Sequence, residues 1–158
     1  MVGRFEQFCN AINSIQHAIM KIERMEMEKY GLKGPHAQCM LVMRQYPEGI
    51  TSAMLCELCR KDKAAISRTV SELEDAGMIS RFDPTGKRYR TLLHLTKKGE
   101  LIARDVEVMV HRTVSRVSQG YDVEIREVFV RVLGLISTNL QELCDEMQNE
   151  AAGHVEKE

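Results

Sequence analysis

Between Lys61 and Phe82 the chain reads KDKAAISRTVSELEDAGMISRF, and that order of signals leaves few arrangements open. Asp62 is an N-cap residue type, and Ala65, Ile66, Thr69, Val70, Leu73 and Ala76 recur at helical spacing. Gly77 supplies a stop, and a β-branched and aromatic run follows at once. The fold must therefore pass directly from a short amphipathic helix into a strand. The MISRF and RTLLHLT segments flank DPTGK, whose Asp-Pro and Gly are turn chemistry, so they read as a β-hairpin.

On the N-terminal side, Phe5, Phe8, Ile12, Ile15, Ile19 and Ile22 alternate steps of three and four, which predicts a long helix with one apolar seam, ending near Gly31. Gly34 and Pro35 restart the chain into a second helix, HAQCMLVMRQY, that stops at PEGI. Thr51 is placed to cap a third helix, SAMLCELCR, only a few residues before the fourth. Beyond the hairpin, Thr96 caps a fifth helix with Ile102, Val106, Met109, Thr113 and Val117 along one side. After Gly120, Asp122 caps a sixth, striped by Ile125, Val128, Val132, Leu135, Ile136, Asn139, Leu140 and Leu143. The expected class is mainly α (α+β). Residues 1–34 form an N-terminal helix, 35–96 a compact middle, 97–148 two long helices and 149–158 a polar, frayed tail. The terminal seams carry more apolar face than so small a middle can cover, so they are expected to pack together and onto a second copy.

Bulk properties mostly exclude. A chain of 158 residues with 44% apolar content supports one core, and a net charge of −1 supplies no global field for nucleic acid or acidic membranes. No apolar run approaches the roughly 20 residues of a spanning helix, and the polar interruptions in MVGRFEQFCNAIN do not suit a secretory leader, so a cytoplasmic chain without membrane contact is expected. Five cysteines, an odd number scattered through helical patterns, fit reduced thiols better than a disulfide framework. There is no Gly-rich phosphate loop, nucleophile elbow or H-E-x-x-H, so no enzyme, cofactor or metal site is expected.

The polar side of the fourth helix is the informative one. Lys63, Ala64, Ser67, Arg68 and Ser71 lie on it, with Glu74 and Asp75 only at its far end. A basic, small-residue N-terminal half with its acids held back suits entry into a major groove, where the positive end of the helix dipole and an arginine fork are favourable. A solvated amphipathic helix can show such a face too. What separates the two is context: a capped helix, a tight turn, this helix, and a hairpin tip with Lys87, Arg88 and Arg90 make a helix-turn-helix with a wing. From Thr51 to Lys98 ten cations face six acids, a net of +4, and the remaining residues then carry −5. Charge is concentrated on the segment with recognition geometry. An uncharged wing would instead have favoured a winged-helix module that binds protein and not DNA.

The segments ITSAMLCELCRKDKAAISRTVSELEDAGMISR and LHLTKKGE resemble the MarR/SlyA family of winged helix-turn-helix transcription regulators, and the flanking helix order agrees over nearly all of the chain. Of the family's D-K-S-T-V-S-R-x-V-x-x-L-E-x-x-G pattern, Asp62, Lys63, Ser67, Arg68, Val70, Leu73, Glu74 and Gly77 are in place, with Ile66 at its first valine. Ala64 and Ala65 replace hydroxyl residues that in many members reach bases or phosphate. The resemblance implies a homodimer made by the first, fifth and sixth helices, bound to a pseudo-palindromic double-stranded DNA operator, most often as a repressor. The implied DNA-contacting set is Thr51, Ser52, Lys63, Ala64, Ser67, Arg68, Ser71, Lys87, Arg88 and Arg90. The wing, TGKRYRTLLHLT, lacks the family's Asp-x-Arg. Arg88, nearer the turn, is assigned to the minor groove and Arg90 to phosphate, with the choice between them open.

Other signals are weaker. Cys56 and Cys59 form a C-x-x-C inside a helix without a second pair, so packing beside Leu55 and Leu58 is the expected role. His36 and Cys39 lack companions for a metal, and a satisfied surface histidine is expected. Cys9 sits where the family's peroxide-sensing members carry a cysteine, although one thiol in a seam is usually packing. The family resemblance also implies a crevice for small aromatic or lipophilic effectors. His17, Met20, Met40, Met43 and Arg44 are the residues of this chain expected to line it, though methionines there equally fill core.

Overall fold

The computed structural model describes residues 2–82 and 91–155, with side chains as far as residue 150. Six helices and one hairpin follow in the expected order: α1 Val2–Glu28, α2 Gly34–Arg44, α3 Ser52–Cys59, α4 Lys63–Asp75, β1 Ile79–Phe82, β2 Leu92–Leu95, α5 Lys97–Val117 and α6 Val123–Val155. The chain divides into two compact units, the first ending at Arg112 and the second beginning at Thr113.

The caps form as the sequence requires. Thr51 Oγ1 accepts from the Met54 N–H at 3.2 Å, Asp62 Oδ1 from Ala65 at 2.8 Å, Thr96 Oγ1 from Gly99 at 3.1 Å and Asp122 Oδ1 from Ile125 at 2.9 Å. Each satisfies an N–H that its helix cannot. Between α3 and α4 the reversal is made by Arg60 in the left-handed region (φ 51°), while the Lys61 N–H reaches back to the Cys56 carbonyl at 3.0 Å. Gly77, at φ 70°, ends α4 and lets the Met78 N–H return to the Leu73 carbonyl at 2.9 Å.

The hairpin is antiparallel, pairing Ile79 with Leu95, Ser80 with His94, Arg81 with Leu93 and Phe82 with Leu92. It is widened by a bridge from Ile50, whose N–H and carbonyl both bond Leu93, at 3.0 and 2.8 Å. The strands are shorter than the segments expected for them, four residues each. A side chain at Gly99 would place Cβ 2.0 Å from the Met78 carbonyl oxygen, so the start of α5 lies directly on the chain that enters β1.

The core belongs to the first unit. Met40 and Met43 of α2, Leu55 of α3, Ile66 and Leu73 of α4, Leu93 of β2 and Val106 of α5 are almost wholly buried. α1 adds only Met27 among its buried residues, and its seam residues Phe5, Ile15, Ile19 and Ile22 stay exposed. In the second unit α6 has no buried residue among those described, and Ile125, Val128, Val132, Leu135, Leu140 and Leu143 are exposed along it. The helix continues through the segment expected to fray, as far as Val155. None of the helices in the described residues is long and apolar enough to cross a membrane.

Candidate nucleic-acid interface

The two faces of α4 separate as its sequence demands. Ile66, Thr69, Val70 and Leu73 are buried, while Lys63, Ala64, Ser67, Arg68 and Ser71 are all exposed. The exposed set starts at the first residue of α4, where the free N–H groups and the dipole make the helix end electropositive, and runs to Ser71 on the third turn. Glu74, on the last turn, is held by Arg81 of β1, whose Nε donates to its Oε2 at 2.8 Å. The acidic end of the helix is thus partly neutralised from the strand. Ser52 is exposed at the start of α3 and Thr51 half-buried in its capping role. Ser52, Lys63, Ser67 and Arg81 border a hollow of about 520 Å³ between α3 and α4. Of the ten residues expected to contact DNA, five are exposed on one side of α4, Ser52 borders the same hollow as Lys63 and Ser67, and Thr51 caps α3. Lys87, Arg88 and Arg90 lie outside the described residues.

Behind that surface α4 is tied down by a cluster that joins His36 to Glu72 and Lys33, two residues that carry no signal of their own in the sequence. Glu72 accepts from His36 Nε2 at 2.7 Å and also pairs with the Lys33 ammonium. The other ring nitrogen of His36, Nδ1, accepts from the Lys33 backbone N–H at 3.2 Å, which assigns the Nε2 proton to the Glu72 bond. Lys33 first, and His36 with it, hold the Glu72 carboxyl below its usual pKa. His36 is 3% exposed, so it is a buried histidine with both nitrogens satisfied and not the surface histidine expected. Cys39 has a different neighbour, its sulfur lying 3.8 Å from Cys59 Sγ. Among the described residues no group of three or more potential ligands could hold a metal.

The expected effector residues scatter. Met40 and Met43 are core, His17 is exposed, and Arg44 Nη1 pairs with Glu107 at 2.7 Å. Met20 lines an open cleft of about 640 Å³ between α1 and the start of α2, together with Glu23, Arg24, Lys33 and Lys61. Burial in that region raises the Glu23 pKa against the opposing pull of Lys61. On the other side of α1's end, the Tyr30 hydroxyl donates to Asp105 at 2.8 Å, and burial together with that carboxylate pushes its pKa up to about 12. In α3, Leu55 is core but Leu58 is 45% exposed, contrary to the role expected for it. Met54 and Leu58, four residues apart, share the face that α2 and α4 do not cover.

Residues 30–89 match the MarR family model. Over its length the chain is similar to solved structures of that family. A MarR family transcription regulator is 18% identical, with a TM-score of 0.79 over 92% of this chain and 95% of that one. A putative MarR family transcriptional regulator from Listeria monocytogenes, solved in complex with a 26mer DNA, is 18% identical, with a TM-score of 0.74 over 84% and 87%. CouR from Rhodococcus jostii RHA1, bound to p-coumaroyl-CoA, is 17% identical, with a TM-score of 0.69 over 80% and 88%. Residues 30–89, which run from the α1–α2 turn through the caps of α3 and α4, the exposed basic face and the buried histidine clamp, are thus similar to the MarR family, and the chain shares the winged helix-turn-helix fold of that family's solved structures.

Proposed function

We propose that the chain is a sequence-specific double-stranded DNA-binding transcription regulator, acting as a homodimeric repressor on a pseudo-palindromic operator. The observation that carries this reading is the outer side of α4 from Lys63 to Ser71. The apolar side of the helix is fixed in the core, and Lys63, Ser67, Arg68 and Ser71 all face outward, beginning at its positive end. Arg68 is the base-reading residue, since a guanidinium can fork onto guanine O6 and N7 in the major groove. Lys63 lies by the helix start, where a cation serves phosphate. The DNA-bound relative from Listeria monocytogenes supports the assignment by analogy of fold.

The dimer would be made by the exposed seams of α1 and α6, faces of the kind that mark an interaction site. Release by a small ligand is part of the reading, supported by the ligand-bound CouR and by the cleft that Met20 lines. A gel shift on the DNA upstream of the protein's own coding sequence, with scrambled competitor and two salt concentrations, tests the whole. Retention of the upstream fragment against competitor, weakening as salt rises, is expected. Equal binding to both DNAs, or none, would leave the winged-helix protein-interaction module as the better reading.

A further inference from the structure

Cys39 and Cys59 lie 20 residues apart in sequence and on different helices, yet their sulfurs are 3.8 Å apart. Both are buried, Cys39 completely and Cys59 to 3% exposure, so Cys59 is the more open of the two. Gln38, next to Cys39, donates to the Cys59 carbonyl at 3.4 Å, a second tie across the same seam. From the geometry of this seam we infer that Cys39 and Cys59 are an oxidation site for small hydroperoxides, closing to an intramolecular disulfide that joins α2 to α3 and displaces α4.

The chemistry divides naturally between the two sulfurs. The contact with the Cys39 sulfur, and Lys61 with it, lower the Cys59 pKa against the effect of burial. Cys59 is also the more open of the two sulfurs, so it is the one that meets the peroxide. The Cys59 thiolate attacks one oxygen of hydrogen peroxide. The O–O bond breaks, a sulfenic acid forms on Cys59, and the departing hydroxide takes a proton to become water. Cys39 then attacks the Cys59 sulfur, the S–O bond breaks, and the hydroxide released takes the Cys39 proton as a second water. Two thiols have been oxidised and one peroxide reduced.

A disulfide requires about 2.05 Å between sulfurs, so the gap must close by about 1.8 Å. Cys59 is the last residue of α3, and only Arg60, in its left-handed conformation, and Lys61 separate it from the Asp62 cap of α4. Movement of the end of α3 is passed to the start of the helix whose face is proposed to read DNA. Displacements of this size are enough to spoil a preorganised site. That consequence rests on the DNA-binding reading, but the oxidation itself does not.

The intact protein, treated with hydrogen peroxide, capped with iodoacetamide and digested with trypsin without reduction, separates the outcomes. Trypsin leaves Cys39 alone in residues 34–44, and Cys56 with Cys59 in residues 45–60. The expected product is these two peptides joined, with Cys56 alkylated and operator affinity lowered on the order of tenfold, restored by dithiothreitol. Cys39→Ala should bind DNA as the reduced protein does and lose the response. Alkylation of both Cys39 and Cys59 after peroxide, a bond between Cys56 and Cys59, or dimers linked through Cys9 or Cys144 would overturn the proposal. A joined peptide with unchanged affinity would overturn the coupling. Should the reduced protein bind no operator, the function reading fails while the peptide map still decides the oxidation site.

Discussion

Glu72 is one residue of α4 with two donors on its carboxylate, and neither donor comes from its own helix. Lys33 and His36 depress its pKa, which fixes a sign for the response to acid. A carboxyl with a folded pKa below its unfolded value contributes stability that is complete above the unfolded pKa, near 4.3, and is lost as pH falls through the folded value. Glu72→Gln removes that dependence. Urea midpoints measured from pH 7 down to pH 3 should show the wild type ahead at neutral pH and the difference shrinking below about pH 5. A constant gap across the series would mean that the clamp contributes nothing through charge. This pairing was illegible in the sequence, because His36 and Glu72 are 36 positions apart and neither lies in a recognisable spacing. The same holds for Cys39 and Cys59. The C-x-x-C joins Cys56 and Cys59 within one helix, whereas the sulfur lying against Cys59 comes from another, and helical spacing reports only neighbours on one helix.

At the scale of elements the sequence was far more informative, and the reason is local. Caps act within three residues, and the 3.6-residue period sorts buried from exposed without knowledge of the fold. Asp62, Thr51, Thr96 and Asp122 all cap where expected, and all five candidate residues on the outer face of α4 are exposed. Leu58 departs from expectation because an eight-residue helix held on one side must leave its other side open, whatever its composition. The division of labour proposed for α4 gives two different outcomes from two substitutions. Arg68→Ala should cost about 1–3 kcal/mol on the preferred operator and relax the preference at a single base pair. Lys63→Ala should weaken binding to every sequence alike and reduce the slope of log affinity against log salt by about one. Fluorescence anisotropy on a panel of single-base operator variants, repeated at several salt concentrations, reads both. Loss of preference in Lys63→Ala with retention in Arg68→Ala would exchange the two roles.

At the scale of the molecule the terminal helices set the remaining question. Periodicity identified their seams correctly as apolar, and the seams lie exposed on α1 and, separately, on α6. Hydropathy patterns identify a face that wants cover without saying what covers it. Large apolar residues at this density are unusual on a surface left to water, and the second copy proposed here removes them from it. A two-fold pair would also present two α4 helices to the half-sites of a pseudo-palindrome, whose spacing must follow the helical repeat of DNA. Leu135 is 60% exposed and lies within the α6 stripe, so a charge there disturbs no packing in the second unit itself. Leu135→Glu should therefore leave the helical circular dichroism close to wild type when protein is concentrated. In sedimentation velocity it should shift the protein from twice the 18.1 kDa chain mass toward a single chain. Operator binding should fall with it, because each half-site then binds on its own and the gain from linking two weak contacts is lost. If Leu135→Glu sediments as the wild type does and holds the operator as tightly, the α6 stripe is not the assembly surface.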